Sequence, residues 1–294
     1  MLSALIKSLR PKQWTKNLLL FAGVIFTGNL KDVALLARAF VGFVLFCALS
    51  GVVYLINDLR DMDSDRQHPE KKNRPIASGR LPVSAAVAAV IIIGAPALFF
   101  SYMLGIAFGH CALLYFLLVT AYSLYLKHFV ILDLMLVALG FVVRAVAGIE
   151  AIEVGGKIPE ITPWFLACAL FLALFMAICK RRHEILLLNE GAVEHRRVLA
   201  EYSPAFLDQM VAVTTSATVL SYALWSTIGK FAHYRMILTL PFVIYGIFRY
   251  LYNVYRKDEG GSPETILLKD RGLQVDILLW LISIVILLYL YKPS

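Results

Sequence analysis

Apolar residues run through this chain in long blocks, without the alternation of an exposed strand or the one-sided period of a surface helix. Roughly 20 such residues carry an α-helix across a bilayer core, and shorter runs suffice where polar flanks snorkel. Dividing the chain at its charged breaks predicts an all-α, polytopic membrane protein of about nine transmembrane helices. The spans run from Asn17 to Leu30, Val33 to Ile56, Val83 to Phe108, Cys111 to Leu126, Val130 to Ile149, Pro163 to Cys179, Phe206 to Thr227, Met236 to Tyr255 and Val275 to Tyr291. No Gly/Ser/Pro-rich linker separates them, so residues 1–294 are read as a single transmembrane domain. Met1 to Lys16 is basic, and no small-residue cleavage motif closes the apolar run after it. That run is therefore expected to stay as the first span.

Composition agrees: 60% of the residues are hydrophobic and 16% charged, more apolar content than one soluble core needs. The net charge of +8 sits in the breaks and forms no continuous stripe, which argues against nucleic acid and for lipid headgroups and phosphorylated substrates. Cys47, Cys111, Cys168 and Cys179 all lie inside apolar runs with no C-x-x-C pair, so neither a zinc site nor a disulfide framework is expected.

The breaks alternate in charge. The N-terminus (Lys7, Arg10, Lys12, Lys16), Arg60 to Arg80, Lys127-His128, Lys180 to Arg197 and Arg256 to Arg271 are basic and expected in the cytoplasm. Those around Asn29, Gly109, Glu150 to Glu160 and Gly229 to Tyr234 are short, neutral or acidic. An odd number of spans then puts the N-terminus in the cytoplasm and the C-terminus outside.

The cytoplasmic end of the second span reads Asn57-Asp58-Leu59-Arg60-Asp61-Met62-Asp63-Ser64-Asp65. On one helix Asn57, Asp61 and Asp65 recur every four residues, with Asp58 three before Asp61, so one face presents three carboxylates and an amide. Such a face repels itself unless cations sit in it, and magnesium favours hard oxygen ligands that it shares with substrate phosphates. A solvated acidic helix end is the plainer reading, at odds with the positive charge of this membrane face. Downstream, Lys71, Lys72, Arg74 and Arg80 supply cations around a turn set by Pro75 and Gly79. Lys72 and Arg74 flank the rigid part of that turn and are the stronger candidates.

Further candidates are Tyr122 with Lys127-His128, the run Lys180-Arg181-Arg182-His183-Glu184, and Lys269-Asp270-Arg271 after the turn Gly260 to Glu264. Each serves topology as readily as binding, but the consecutive arginines offer bidentate phosphate clamps. Asp133 and Arg144 are charges inside the fifth span, eleven residues apart and so on nearly the same helix face. They are expected to face the bundle interior, either lining a substrate cavity or satisfying contacts between helices.

The pattern N-D-x-x-D-x-x-x-D from Asn57 to Asp65, followed by Lys72-x-Arg-Pro-Ile-x-x-Gly79, resembles the first aspartate-rich motif of the UbiA superfamily of intramembrane prenyltransferases. The resemblance implies a UbiA-type helical bundle in a bacterial or archaeal cell membrane, with a cytoplasm-facing active site that binds magnesium and a diphosphate. The second aspartate-rich motif of the aromatic prenyltransferases is replaced here by Lys180-Arg-Arg-His-Glu184. Further blocks resemble the branch that transfers phosphoribosyl groups: Arg10-Pro-Lys-Gln-Trp14-x-Lys16-Asn17, Leu126-Lys127-His128, Arg144-Ala-x-Ala-Gly148, Lys180-Arg181 with Glu184, and Pro263-Glu264 with Leu268-x-Asp270-Arg271.

For that branch the implied substrates are phosphoribosyl pyrophosphate and a decaprenyl-type polyprenyl monophosphate. Asn57, Asp58, Asp61 and Asp65 would then hold Mg2+ on the donor diphosphate, with Asp58, Asp61 and Asp65 catalytic. Lys72, Arg74 and Lys127 would meet diphosphate oxygens. Lys180, Arg181 and Arg182, with Lys16, would bind either the acceptor phosphate or the ribose 5-phosphate. Tyr122, Asp133, Arg144, Glu184, Asp270 and Arg271 complete the expected substrate-binding set. The alternatives are ordinary prenyl transfer from a prenyl diphosphate to an aromatic or glycerol-phosphate acceptor and, from another class, a transporter.

Overall fold

The computed structural model describes residues 1–69, 71–154, 162–188, 199, 201–228, 234–257, 266–267 and 269–290. Its α-helices are α1 (Leu2–Ser8), α2 (Phe21–Phe26), α3 (Val33–Arg60), α4 (Met62–Gln67), α5 (Val83–Leu104), α6 (Ile106–Leu124), α7 (Leu132–Glu150), α8 (Pro163–Leu188), α9 (Pro204–Ile228), α10 (Leu240–Arg256) and α11 (Arg271–Leu290). Among the described residues eight helical stretches are long and apolar enough to cross a membrane: α3, α5, α6, α7, α8, α9, Arg235–Arg256, which is α10 with the 3-10 turn before it, and α11. They answer to the second through ninth expected spans.

The expected first span, Asn17 to Leu30, takes a different form. A 3-10 helix covers Pro11–Leu20, the short α2 follows, and Gly28 at φ 76° turns the chain away. Close packing accompanies this broken segment. A Cβ added at Gly23 would overlap the carbonyl of Gly148, and one at Gly148 would overlap the carbonyl of Leu20, so backbone lies directly on backbone here.

The chain forms two compact units. Unit 1 comprises Met1–Val24, Asn29–Leu126 and Val143–Pro159. Unit 2 comprises Ile25–Gly28, Lys127–Val142 and Glu160–Ser294. In unit 1, α3 packs on α5 and α6 around Phe46, Leu49, Phe108 and Tyr115. Asp32 starts α3 by accepting from the backbone N–H groups of Ala34 and Leu35 at 2.9 and 3.1 Å. Arg38 donates to the carbonyls of Leu104 and Ala151 at 2.6 and 2.9 Å, satisfying acceptors that helix ends otherwise leave without partners. In unit 2, α8 and α9 pack along their length on a core that includes Phe175, Ile178, Leu207, Val211 and Tyr250.

Candidate active site

In unit 1 the aspartate-rich segment is not one straight helix. α3 ends at Arg60 and α4 begins at Met62, with Asp61 between them at φ −89°, ψ 9°. Hydrogen bonds from Asp61 N to Asn57 O and from Asp65 N to Asp61 O keep the chain nearly helical across the break. Asp58 and Asp65 thereby come to one place, both buried, while Asn57 and Asp61 are half-buried.

A single guanidinium nitrogen joins the two carboxylates. Arg74 Nη1 lies 2.6 Å from Asp65 Oδ2 and 3.2 Å from Asp58 Oδ1. Arg10 Nη2 lies 2.6 Å from the same Asp58 oxygen, and the Arg10 guanidinium sits 4.7 Å from the centre of the Tyr54 ring. The loop that presents Arg74 is anchored by apolar burial: Ile76 and Leu81 pack with Leu55 and Ala86. It closes through Ser78 N to Arg74 O, Leu81 N to Pro75 O, and Gly79 in the left-handed region at φ 74°. Arg80 donates to Asn73 O and so belongs to the turn itself.

The donor set suits a divalent cation. Among the described residues no group of three or more His, Cys, Asp or Glu side chains is placed to hold a metal unaided. Magnesium, however, is commonly bound by one or two carboxylates together with substrate phosphates. Asp58 and Asp65 already reach one cationic atom between them, and Asn57 and Asp61 stand in the same short segment of chain.

Unit 2 holds a second acid–arginine cluster, assembled from distant parts of the chain. Asp133, fully buried in the first turn of α7, accepts from Arg181 Nε at 2.9 Å and from the Tyr202 hydroxyl at 2.7 Å. Arg181 Nη1 meets Glu184 Oε2 at 2.5 Å. The Tyr202 hydroxyl accepts from Ile131 N at 2.6 Å, at a β-branched residue held at φ 67°. Burial and the neighbouring Asp133 carboxylate push the Tyr202 phenol well above its ordinary range. Next to it on α8, Arg182 pairs with Asp208 at 2.6 Å and stacks on Tyr255 at 4.1 Å. Tyr255 donates to the same Asp208 oxygen at 2.6 Å.

Asp270 accepts from Arg249, from Asn253 and, as the cap of α11, from Leu273 N at 2.8 Å. Hydrogen bonding from Arg249 in particular holds its carboxyl well below the usual carboxylate range. These contacts make Asp270 an anchor for the start of α11.

Arg144 occupies a separate buried network in unit 1. It donates to Asn17 Oδ1 at 2.8 Å and to the Tyr115 hydroxyl at 2.7 Å, while Asn17 donates to Cys47 Sγ and Ser50 Oγ. Of its two expected roles, the structure displays the contact between helices. Lys16 is half-buried in Pro11–Leu20, Lys72 is exposed in the 3-10 turn Lys71–Asn73, and Tyr122 is half-buried near the end of α6. Lys127 lies in the 3-10 turn Leu126–His128, Lys180 is half-buried on α8, and Arg271 is exposed at the start of α11. The turn Gly260 to Glu264, the Pro263-Glu264 block and Leu268 lie outside the described residues.

Sequence reasoning did not select Arg10, Tyr202, Asp208, Arg249, Asn253 or Tyr255. Asp208 and Arg249 carried a usable signal, since each is a charge inside an expected span. Tyr202 and Asn253 carried none, because their importance comes from partners far away in sequence.

Fold and site together define a polytopic all-helical membrane protein that gathers carboxylates and guanidiniums where its spans begin and end. The chain belongs to the UbiA prenyltransferase family, whose sequence profile matches residues 18–269. It is 36% identical over 97% of its length to a decaprenyl-phosphate phosphoribosyltransferase of Corynebacterium glutamicum, covering 87% of that protein. The protein of the same name from Mycolicibacterium smegmatis is 36% identical over 96% of this chain and 91% of its own. A UbiA homolog from Archaeoglobus fulgidus, solved bound to DMAPP and Mg2+, shares the fold with a TM-score of 0.74. That match has 20% identity and covers 96% of this chain and 98% of the other. Family and relatives make the chain an integral membrane enzyme.

Proposed function

We propose that this enzyme transfers the 5-phosphoribosyl group of phosphoribosyl pyrophosphate to a decaprenyl-type polyprenyl monophosphate. The products are diphosphate and polyprenylphosphoryl-ribose 5-phosphate. The observation that carries this reading is the 36% identity, over nearly the whole chain, to two proteins named for that transfer. The meeting of Asp58 and Asp65 at one cation supports the donor half of it.

In this reading Asn57, Asp58, Asp61 and Asp65 would hold Mg2+, which would supply charge neutralisation for the leaving diphosphate. Arg74 and Lys72 bind diphosphate oxygens from the adjoining loop. The acceptor is a phosphate monoester with a second pKa of about 6, already mostly dianionic at neutral pH, so no side chain has to remove a proton from it. Attack on C1 from the face opposite the leaving diphosphate inverts the anomeric centre, and positioning supplies much of the rate. Lys180 and Arg182, with Lys16, are the candidates for the phosphate monoester groups, and Lys127 is a candidate for the diphosphate. Arg181, locked between Asp133 and Glu184, orders the unit 2 cluster. The positive charge of the loop that carries Arg74 favours the cytoplasm for the donor site, where a soluble polyanionic donor is available.

The test incubates purified protein in detergent with magnesium, polyprenyl phosphate and radiolabelled phosphoribosyl pyrophosphate, comparing wild type with Asp61→Asn. Label entering the organic phase with wild type, and its loss in the variant, is the expected result. Ordinary prenyl transfer is the competing reading, since the Archaeoglobus homolog was solved with DMAPP. Absence of lipid-linked label, together with turnover of a prenyl diphosphate and an aromatic acceptor, would replace the first reading with the second.

A further inference from the structure

Arg10 stands where its backbone is least comfortable. It has φ 52° and ψ 63°, the left-handed region, and it precedes Pro11, which disfavours compact conformations in the residue before it. Glycine or asparagine would occupy this position with less strain. What arginine adds is its side chain, which reaches 48 residues along the chain to Asp58 and lies over Tyr54. Strain of this kind persists where the surroundings enforce it, often beside functional groups.

The electrostatics then identify what that side chain serves. Two guanidiniums, from Arg10 and Arg74, meet at a single carboxylate oxygen, at 2.6 and 3.2 Å. Both remain partly open, with side chains 28% and 25% exposed, while Asp58 is closed at 2%. A guanidinium carries several N–H donors, so each can keep its contact to a carboxylate and still donate to an anion beside it. Arg10 and Arg74 match the carboxylates of Asp58 and Asp65 one for one, and without Arg10 those two carboxylates would share Arg74 alone. A site so acidic would bind a metal but repel the diphosphate that must accompany it.

We propose that Arg10 is a substrate-binding residue, forming with Arg74 a two-guanidinium clamp on the diphosphate of the donor. This rests on the reading of Asn57 to Asp65 as the diphosphate site. It holds for either donor chemistry, because both donors carry the same diphosphate.

The decisive variants are Arg10→Asn and Arg10→Gly, which suit the left-handed backbone and remove the guanidinium, with Arg10→Lys as the conservative control. Binding of inorganic diphosphate in the presence of Mg2+ is measured by thermal shift, and binding of Mn2+ alone by electron paramagnetic resonance. The KM for each substrate is taken alongside. Loss of a charge-assisted contact predicts diphosphate affinity lower by about 10- to 100-fold, with a matching rise in donor KM. Mn2+ alone should bind at least as tightly as to wild type, acceptor KM should stay unchanged, and lysine should restore part of the loss.

Unchanged diphosphate affinity in both Arg10→Asn and Arg10→Gly overturns the proposal. Parallel loss of metal binding, diphosphate binding and melting temperature overturns it too, by showing that Arg10 only holds Asp58 in place. A wild type that binds inorganic diphosphate yet turns over only prenyl diphosphate defeats the phosphoribosyl reading, and leaves Arg10 to be judged by the diphosphate arm.

Discussion

Replacing Arg181 with methionine strips a buried carboxylate of its counter-ion. Asp133 is fully buried, the Arg181 side chain is 6% exposed, and their contact is 2.9 Å. Truncating one partner of such a pair costs about 3–5 kcal/mol, because the other charge stays desolvated. Tyr202 still donates to Asp133, but one neutral donor does not replace a guanidinium. The second contact, to the 27% exposed Glu184, adds less than about 1 kcal/mol, since that carboxylate can turn to water. At roughly 2 °C per kcal/mol for a chain this long, the apparent melting temperature should fall by about 6–10 °C. The assay is thermal unfolding in one detergent at one scan rate, so that irreversible unfolding affects every variant equally. The double variant Arg181→Met/Asp133→Leu removes both charges and should recover most of the loss, because well-packed apolar groups commonly substitute for a buried pair without cost. A single variant that melts with wild type, or a double variant no better than the single, would refute the view that Arg181 chiefly neutralises Asp133.

Gly148→Ala puts a methyl group into the carbonyl of Leu20 and should destabilise by about 1–3 kcal/mol, read as a lower melting temperature with Ala147→Gly as a nearby reference. Asp270→Asn keeps a competent cap for α11 but loses the charge facing Arg249 and Lys257. Because the Asp270 carboxyl is held below its usual range, its contribution is present above about pH 4 and fades as pH falls further. The variant should therefore melt below wild type at pH 7, with the gap narrowing below about pH 4. Failure of the gap to narrow would show that Asp270 acts only through its cap. Ser64, exposed on α4, gives a topology test: Ser64→Cys should react with an impermeant maleimide in inverted vesicles and not in intact cells. Labelling of intact cells would reverse the orientation.

Hydropathy and charge along the chain are local properties, and what depends on them alone was legible in the sequence. The eight long helices fall on the apolar blocks between charged breaks, and Asn57 to Asp65 with Arg74 could be singled out because those groups lie within 18 residues of one another. The expected first span, Asn17 to Leu30, is built instead from a 3-10 helix and the short α2. Its form follows from backbone contact with Gly148, far along the chain, which no local hydropathy records. Nor could helical periodicity reveal that Asp58 and Asp65, not the four-residue series Asn57, Asp61 and Asp65, would meet at one guanidinium. That depends on the break at Asp61 and on where Ile76 and Leu81 bury themselves. Arg10 on Asp58, and Asp133 with Arg181 and Tyr202, are partnerships across 48 to 69 residues. Side-chain chemistry names which groups can pair, but only the packing of helices against one another decides which of them do.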